Sequence, residues 1–135
     1  MTVEVWGIEE FERNIEKFRD YTKDQFKQLI VKIGVELLKG VVMMTPVDKG
    51  RARGNWQVEI NSATDKVLET VDKMGGNTIE KGLAVLQTLK NNGIGQVIYM
   101  CNNVEYIIGL EEGTSQQAPH GMVAVTLARL NQMFG

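Results

Sequence analysis

Met44-Thr45-Pro46-Val47-Asp48-Lys49-Gly50-Arg51-Ala52-Arg53-Gly54-Asn55-Trp56-Gln57-Val58-Glu59-Ile60-Asn61 is where the chain changes its hydrophobic period. Upstream, Phe26, Leu29, Ile30, Ile33, Leu37 and Val41 return at steps of mostly three or four, the spacing of one helix face. Pro46 stops that helix, because proline cannot donate the bond a helix interior needs and pushes the residue before it out of the helical region. Thr45 is therefore expected to be extended. Beyond a loop from Gly50 to Gly54, Trp56, Val58 and Ile60 alternate with Asn55, Gln57, Glu59 and Asn61, as in a strand with one buried face.

Working outward, the helical spacing extends back through Phe18, Ile15 and Phe11 to about Glu9, as one long helix or two with a joint near Tyr21-Thr22. Lys32, Glu36 and Lys39 leave only a narrow polar strip on its second half. That half needs cover on most sides, shared between a sheet and a neighbouring subunit, or part of its stripe stays exposed. Downstream, the polar run Ser62 to Gly76 reads as a loop with a short helical turn through Lys66-Val67-Leu68-Glu69. Asn77 with Glu80 resembles a capping box, and Ile79, Leu83, Leu86 and Leu89 then share a face, so a helix is expected over 78–91. Gly82 inside it costs up to ~1 kcal/mol against alanine and points to close packing. Gln96-Val97-Ile98-Tyr99-Met100-Cys101 reads as a central strand covered on both faces. Asn102-Asn103 makes a turn, Tyr106 to Leu110 is short and apolar, and Gly121 to Phe134 places Val123, Leu127, Leu130 and Phe134 on one side of a closing helix.

The 135 residues read as one domain, with residues 1–25 as an N-terminal helical extension. A net charge of −2 argues against a dedicated binder of nucleic-acid phosphates. The single cysteine, Cys101, excludes an intrachain disulfide and the multi-cysteine zinc patterns, and a reducing cytoplasm is the default compartment. The amino terminus carries no basic stretch followed by an apolar run, as a secretory signal would. Charges interrupt Ile30 to Met44 well short of the ~20 apolar residues of a membrane span. No cofactor or metal site is expected.

Catalysis has one nucleophile and base to draw on, Cys101 and His120, and a small apolar thiol in a buried strand is the reading adopted for the former. The carboxylate pairs Glu9-Glu10 and Glu111-Glu112 are adjacent residues, which do not face one another across a substrate. Lys49, Arg51 and Arg53 near Trp56 mix charge with an aromatic ring, as single-strand binders do, and a nucleic-acid-binding module on this loop is the alternative function. The reading preferred here has the arginines capping helix carboxyl ends or pairing with acids of a neighbouring protomer, and Trp56 in the core.

Two segments carry a family resemblance. Thr45, Pro46, Val47, Asp48, Gly50, Arg51, Arg53, Gly54, Asn55 and Trp56, followed by a strand, form the first. Asn102, Asn103, Tyr106, Ile107, Leu110, Glu111, Gly113, Thr114, Ser115, Gln117, Ala118, Pro119, Gly121, Met122 and Val123 form the second. Together they resemble the tail-completion or neck-protein family of long-tailed bacteriophages, also described as minor tail components. The likeness covers roughly Phe26 to the carboxyl terminus. Lys49 stands where that family usually has a small hydroxyl residue, and Glu112 adds an acid beside Glu111.

The resemblance implies a non-enzymatic α+β subunit, with a long helix packed on a small, mostly antiparallel sheet. It implies a hexameric ring of identical subunits at the head–tail junction of the virion, assembled in the host cytoplasm. The ring would join the head connector or stopper to the major tail tube protein, with DNA only passing through the lumen. Oligomers of this kind usually bury more than ~2,000 Å² of interface, and the apolar cover on Ile30 to Met44 and the seven methionines suit such a surface. The loops Pro46 to Gly54 and Gly113 to Gly121 would dock on neighbours, Arg51 and Arg53 pairing with carboxylates such as Glu111 of the next subunit. The expected contact residues are Pro46, Asp48, Gly50, Arg51, Arg53, Trp56, Tyr106, Glu111, Gly113, Gln117 and Pro119.

Overall fold

Thr22 opens the long helix. In the computed structural model, which describes residues 1–6, 22–90, 93 and 95–134, its backbone is extended and its hydroxyl accepts the Gln25 N–H at 3.2 Å. The Gln25 side chain in turn accepts the Thr22 N–H at 2.7 Å, which completes a capping box. The expected joint near Tyr21-Thr22 is thus a helix start at Thr22, and α1 runs Lys23–Met44. The stripe Phe11, Ile15 and Phe18, the pair Glu9-Glu10 and the expected helix end at Asn91 lie outside the described residues.

Cover for α1 comes from inside the chain. Ile30, Ile33, Leu37, Leu38, Val41 and Val42 are buried, and two glycines let other helices approach closely. Gly34 faces Leu86 of α3 (Gly76–Leu86), and Gly40 faces Thr126 and Arg129 of α5 (Val123–Phe134). The apolar excess that suited a subunit interface is largely accounted for by these two helices and the sheet, although Met43 remains half-exposed. Thr45 ends α1 in the extended conformation that Pro46 imposes.

Beyond it, the segment expected as a loop contains one helical turn, α2 (Arg51–Gly54), and then β2 (Gln57–Ile60). The sheet has the order β1-β3-β2, with β1 (Thr2–Trp6) and β2 both antiparallel to β3 (Val97–Cys101). The α+β class and the helix-on-sheet arrangement hold, and β3 is the central strand. β1 corrects the expected helical extension: residues 2–6 are extended and pair from Thr2 opposite Cys101 to Trp6 opposite Val97.

Val58, Ile98 and Met100 point into the core, while Val97 and Tyr99 are only half-buried. The opposite sheet face carries Glu4 and Glu59 beside Tyr99, so β3 is not covered evenly on both sides. The helices supply one layer.

The middle helix begins and ends differently from its expected limits. Gly75, left-handed at φ 85°, precedes it, and no side chain of the Asn77/Glu80 box caps it. The cap comes from outside, through the Asp72 carboxylate, which accepts the N–H groups of Gly75 and Thr78 at 2.9 Å each and the Thr78 hydroxyl at 2.8 Å. At the other end the Thr88 N–H and hydroxyl both turn back onto Val85 O, which closes α3 at Leu86. Gly82 is closely packed as expected, since a methyl group there would strike Leu38 and Val58. The polar run before α3 lacks the expected helical turn at 66–69; Asn55 pins it, exchanging two hydrogen bonds with the Leu68 backbone.

Tyr106 to Leu110 enters a short helix, α4 (Ile107–Glu111). In α5 the buried positions are Thr126 and Leu130, whereas Leu127 is 45% exposed. The inward face therefore runs Met122, Thr126, Leu130, at steps of four. Thr126 is drawn inward because the bare backbone at Gly40 leaves room for it.

Candidate functional site

The two segments singled out in the sequence meet. Gln117 exchanges two hydrogen bonds with Val47: its side-chain oxygen accepts the Val47 N–H at 3.0 Å, and its amide donates to the Val47 carbonyl at 3.2 Å. A side-chain amide thus pairs with the backbone as a neighbouring strand would, across seventy residues of chain. Between the segments lies an open cleft of about 420 Å³, with Pro46, Val47, Asp48 and Arg51 on one wall and Tyr106, Leu110, Ser115 and Gln117 on the other.

Gly50 shapes the first wall. Its φ is 90°, and a Cβ there would strike the backbone of Asp72 and Lys73, so the bend into α2 requires glycine. Gly113, at φ 93°, does the same for the second segment, where Pro119 O lies against it.

Arg51 reaches across the cleft mouth. Its guanidinium donates to Glu105 at 2.8 Å and stands 6.0 Å above the Tyr106 ring. The hydrogen bond from Arg51 holds the Glu105 carboxyl below its ordinary range, and the same bond raises the Arg51 guanidinium. Both side chains are open to water, at 38% and 70% exposure, so solvent and salt screen the pair.

Arg53 leaves α2 on the opposite side. Successive residues of a helical turn are ~100° apart, so two residues separate the guanidinium groups by more than half a turn. Arg53 donates to Met43 O at 2.9 Å and Thr45 O at 3.0 Å, at the carboxyl end of α1, and to Lys73 O at 2.7 Å. It caps a helix carboxyl end, as the preferred sequence reading of this loop had it. Trp56 is in the core, 3% exposed, and its indole N–H donates to the Thr45 hydroxyl at 2.8 Å.

These placements divide the expected contact residues. Pro46, Asp48, Arg51, Tyr106 and Gln117 line the cleft with accessible surface. Gly50 lines it too but is buried. Arg53 and Trp56 serve the interior. Glu111, half-buried, is engaged within its own chain: its carboxylate accepts the N–H groups of Met122 and Val123 at 2.7 Å and of Ala124 at 3.1 Å. It caps the start of α5, where an acid also suits the helix dipole, and is committed within its own chain. Pro119 is exposed beyond the cleft.

Asp72 and Glu105 were not singled out in the sequence. Asp72 is 8% exposed. Burial would push its carboxyl up, but the hydrogen bonds from Thr78 and Gly75, with the nearby Arg53 charge, outweigh that and hold it below the ordinary value. An acid just ahead of Gly75-Gly76 and Thr78 was the only available signal.

Cys101 is fully buried, and the Thr2 hydroxyl lies 3.8 Å from its sulfur; His120 is exposed on the loop after Pro119. Among the described residues, no group of three or more His, Cys, Asp or Glu side chains stands together to hold a metal ion, and no helix is long and apolar enough to cross a membrane. No family model, curated protein or solved structure matches this chain.

Proposed function

We propose that this chain is a structural subunit of the neck of a long-tailed bacteriophage, six copies of which form a ring that completes the tail and joins it to the head connector. The reading rests on the resemblance of the two segments, and the observation that carries it further is their convergence. Segments far apart in sequence share one cleft, tied by the Gln117–Val47 exchange. Around it stand accessible Asp48, Arg51, Tyr106 and Gln117, with Ile108 57% exposed nearby in sequence. An exposed aromatic ring, an arginine and a rigid turn are what central contact residues of protein interfaces are made of. In this reading the partners are further copies of the chain, the connector or stopper and the tail tube protein, and DNA passes through without being held.

The nucleic-acid-binding alternative has less support. Of its three cations Arg53 is committed to backbone carbonyls, and the exposed Arg51 has its charge balanced by Glu105 beside it. Lys49 is exposed.

Light scattering coupled to size exclusion, across a concentration range, tests the proposal. A stable species near six times 15.1 kDa is expected, and the double variant Arg51→Glu, Tyr106→Ala should remain folded and lose it. Intact assembly in that variant, or salt-dependent DNA retention that disappears with Lys49→Ala, would reject the cleft as the subunit contact.

A further inference from the structure

The sheet ends at β2, and the outer edge of that strand is open. The Asn61 N–H donates to Val97 O at 2.7 Å, and the Asn61 side chain accepts the Val97 N–H at 3.1 Å, which sets the phase of the ladder. Glu59 and Gln57 therefore turn their backbone groups to β3, and Val58 and Ile60 turn theirs away from it. Among the described residues, nothing bonds to the N–H or C=O of Val58 or Ile60 on that outer side. At the Asn55 end the chain fills the edge itself, since the Asn55 amide exchanges two hydrogen bonds with the Leu68 backbone. Past that point the row is unpaired, as an edge open to another strand is.

A cavity of about 150 Å³ lies against this edge, with Trp56, Val58 and Glu59 on one side and Thr78, Lys81 and Val85 of α3 on the other. Gly82 brings α3 up to Val58, because a Cβ there would strike Val58 and Leu38, and the helix so forms a wall beside the open edge. A cavity of this size holds a group about as large as a benzene ring, which is one side chain. An extended peptide adds a strand to such an edge, main-chain bonds supplying affinity and pockets selecting alternate side chains. The four-residue strand falls far short of the ~2,000 Å² of an obligate subunit interface, and it suits a short peptide. The two faces of an added strand would meet different charges. Lys81 is exposed on the α3 side, and among the described residues no acid is paired with it. Glu59 stands on the other face of the sheet, beside Tyr99.

We infer that the β2 edge is a peptide-docking site: an extended segment of a partner protein adds a strand along Val58 and Ile60, with apolar and acidic side chains toward α3 and basic ones beside Glu59. The inference goes beyond the neck reading and uses no residue of the cleft mouth, so either can fail without the other.

Amide hydrogen exchange and a peptide titration test it. The probe is the blocked hexapeptide Val-Lys-Glu-Lys-Val-Thr, whose odd positions would face α3. In the free protein the Val58 and Ile60 amides should exchange fast and those of Gln57 and Glu59 slowly, and the peptide should slow the first pair. Slow exchange of Val58 and Ile60 in the free monomer would mean that the edge is already covered, which overturns the site. Protection that appears with protein concentration alone would assign the edge to a second copy and overturn the peptide reading. Ile60→Pro removes an outward donor and no bond to β3, a position where an edge strand accepts proline, and should weaken peptide binding roughly tenfold or more. Unchanged binding in that folded variant overturns the proposal. Should the variant fail to fold, methylating the peptide's own amides separates the cases: one alternate set abolishes binding and the other does not, and equal effects overturn the added strand. Lys81→Glu should shift preference to the charge-swapped peptide Val-Glu-Lys-Glu-Val-Thr, and an unchanged preference overturns the assigned partner chemistry. Failure of both peptides to bind the parent protein overturns the site and leaves the neck reading standing.

Discussion

Arg51 and Arg53 stand on one helical turn, two residues apart, and their surroundings have little in common. Arg53 lies against the end of α1, and its guanidinium joins Met43, Thr45 and Lys73 through their carbonyls. Around it Trp56 donates to Thr45, and Asp72 holds the start of α3. Arg51 points to the cleft, pairs with one exposed acid and covers one half-exposed ring. Backbone carbonyls at a helix end are fixed acceptors that need partners when water is scarce, whereas an exposed carboxylate is well served by water. Two identical side chains thus have a structural task on one side of the turn and an available surface on the other.

Trp56→Ala should have the largest effect, a loss of about 3–5 kcal/mol of stability in urea denaturation, as for a large buried aromatic side chain. A loss below ~1 kcal/mol with assembly abolished would return Trp56 to the contact surface and break the division between the two sides. Arg53→Ala comes next, with about 2–3 kcal/mol lost, because carbonyls at the end of α1 lose a charged donor. If Arg53→Ala and Arg51→Ala shift the urea midpoint equally, the contrast between them fails.

Asp72→Asn sharpens the comparison through pH. The folded-state pKa of Asp72 lies below the ordinary value, so its contribution is fully present above the unfolded value of ~3.9 and is lost as pH falls through the lowered one. The variant should be about 1–3 kcal/mol less stable than the parent at neutral pH, and the gap should narrow in the acid range below pH ~4. A gap that stays constant between pH 7 and pH 3 would show that the charge of Asp72 is irrelevant. Arg51→Ala is expected to have the smallest effect on folding, leaving the urea midpoint unchanged at any salt concentration while the oligomer seen by light scattering is lost.

Much of the fold was legible because it depends on neighbours in sequence. Pro46 and the residues around it specify a helix stop and a strand whatever lies elsewhere, and both occur where expected. The start of α3 was misplaced because the Asn77/Glu80 pattern satisfies a local rule, while the cap comes from Asp72, outside the helix. β1 was missed because five residues form a strand only when β3, some ninety-five residues further on, offers its edge. Of the candidate site, both segments were visible as punctuated runs. Their pairing through Gln117 and Val47, and the inward commitment of Arg53, Trp56 and Glu111, were not.

Short-range chemistry alone therefore determined the helix stop at Thr45, the strand that follows it and the strand at Val97–Cys101. Periodicity and proline restrict backbone conformation within a few residues, without reference to the rest of the chain. Tertiary structure decided which charges remain available. An arginine or glutamate is indifferent in sequence to whether it meets water, a carbonyl or a helix start. Only the closure of α1, the sheet and the two loops around α2 set Arg53 and Glu111 to internal capping and left Arg51 and Tyr106 at the mouth of a cleft.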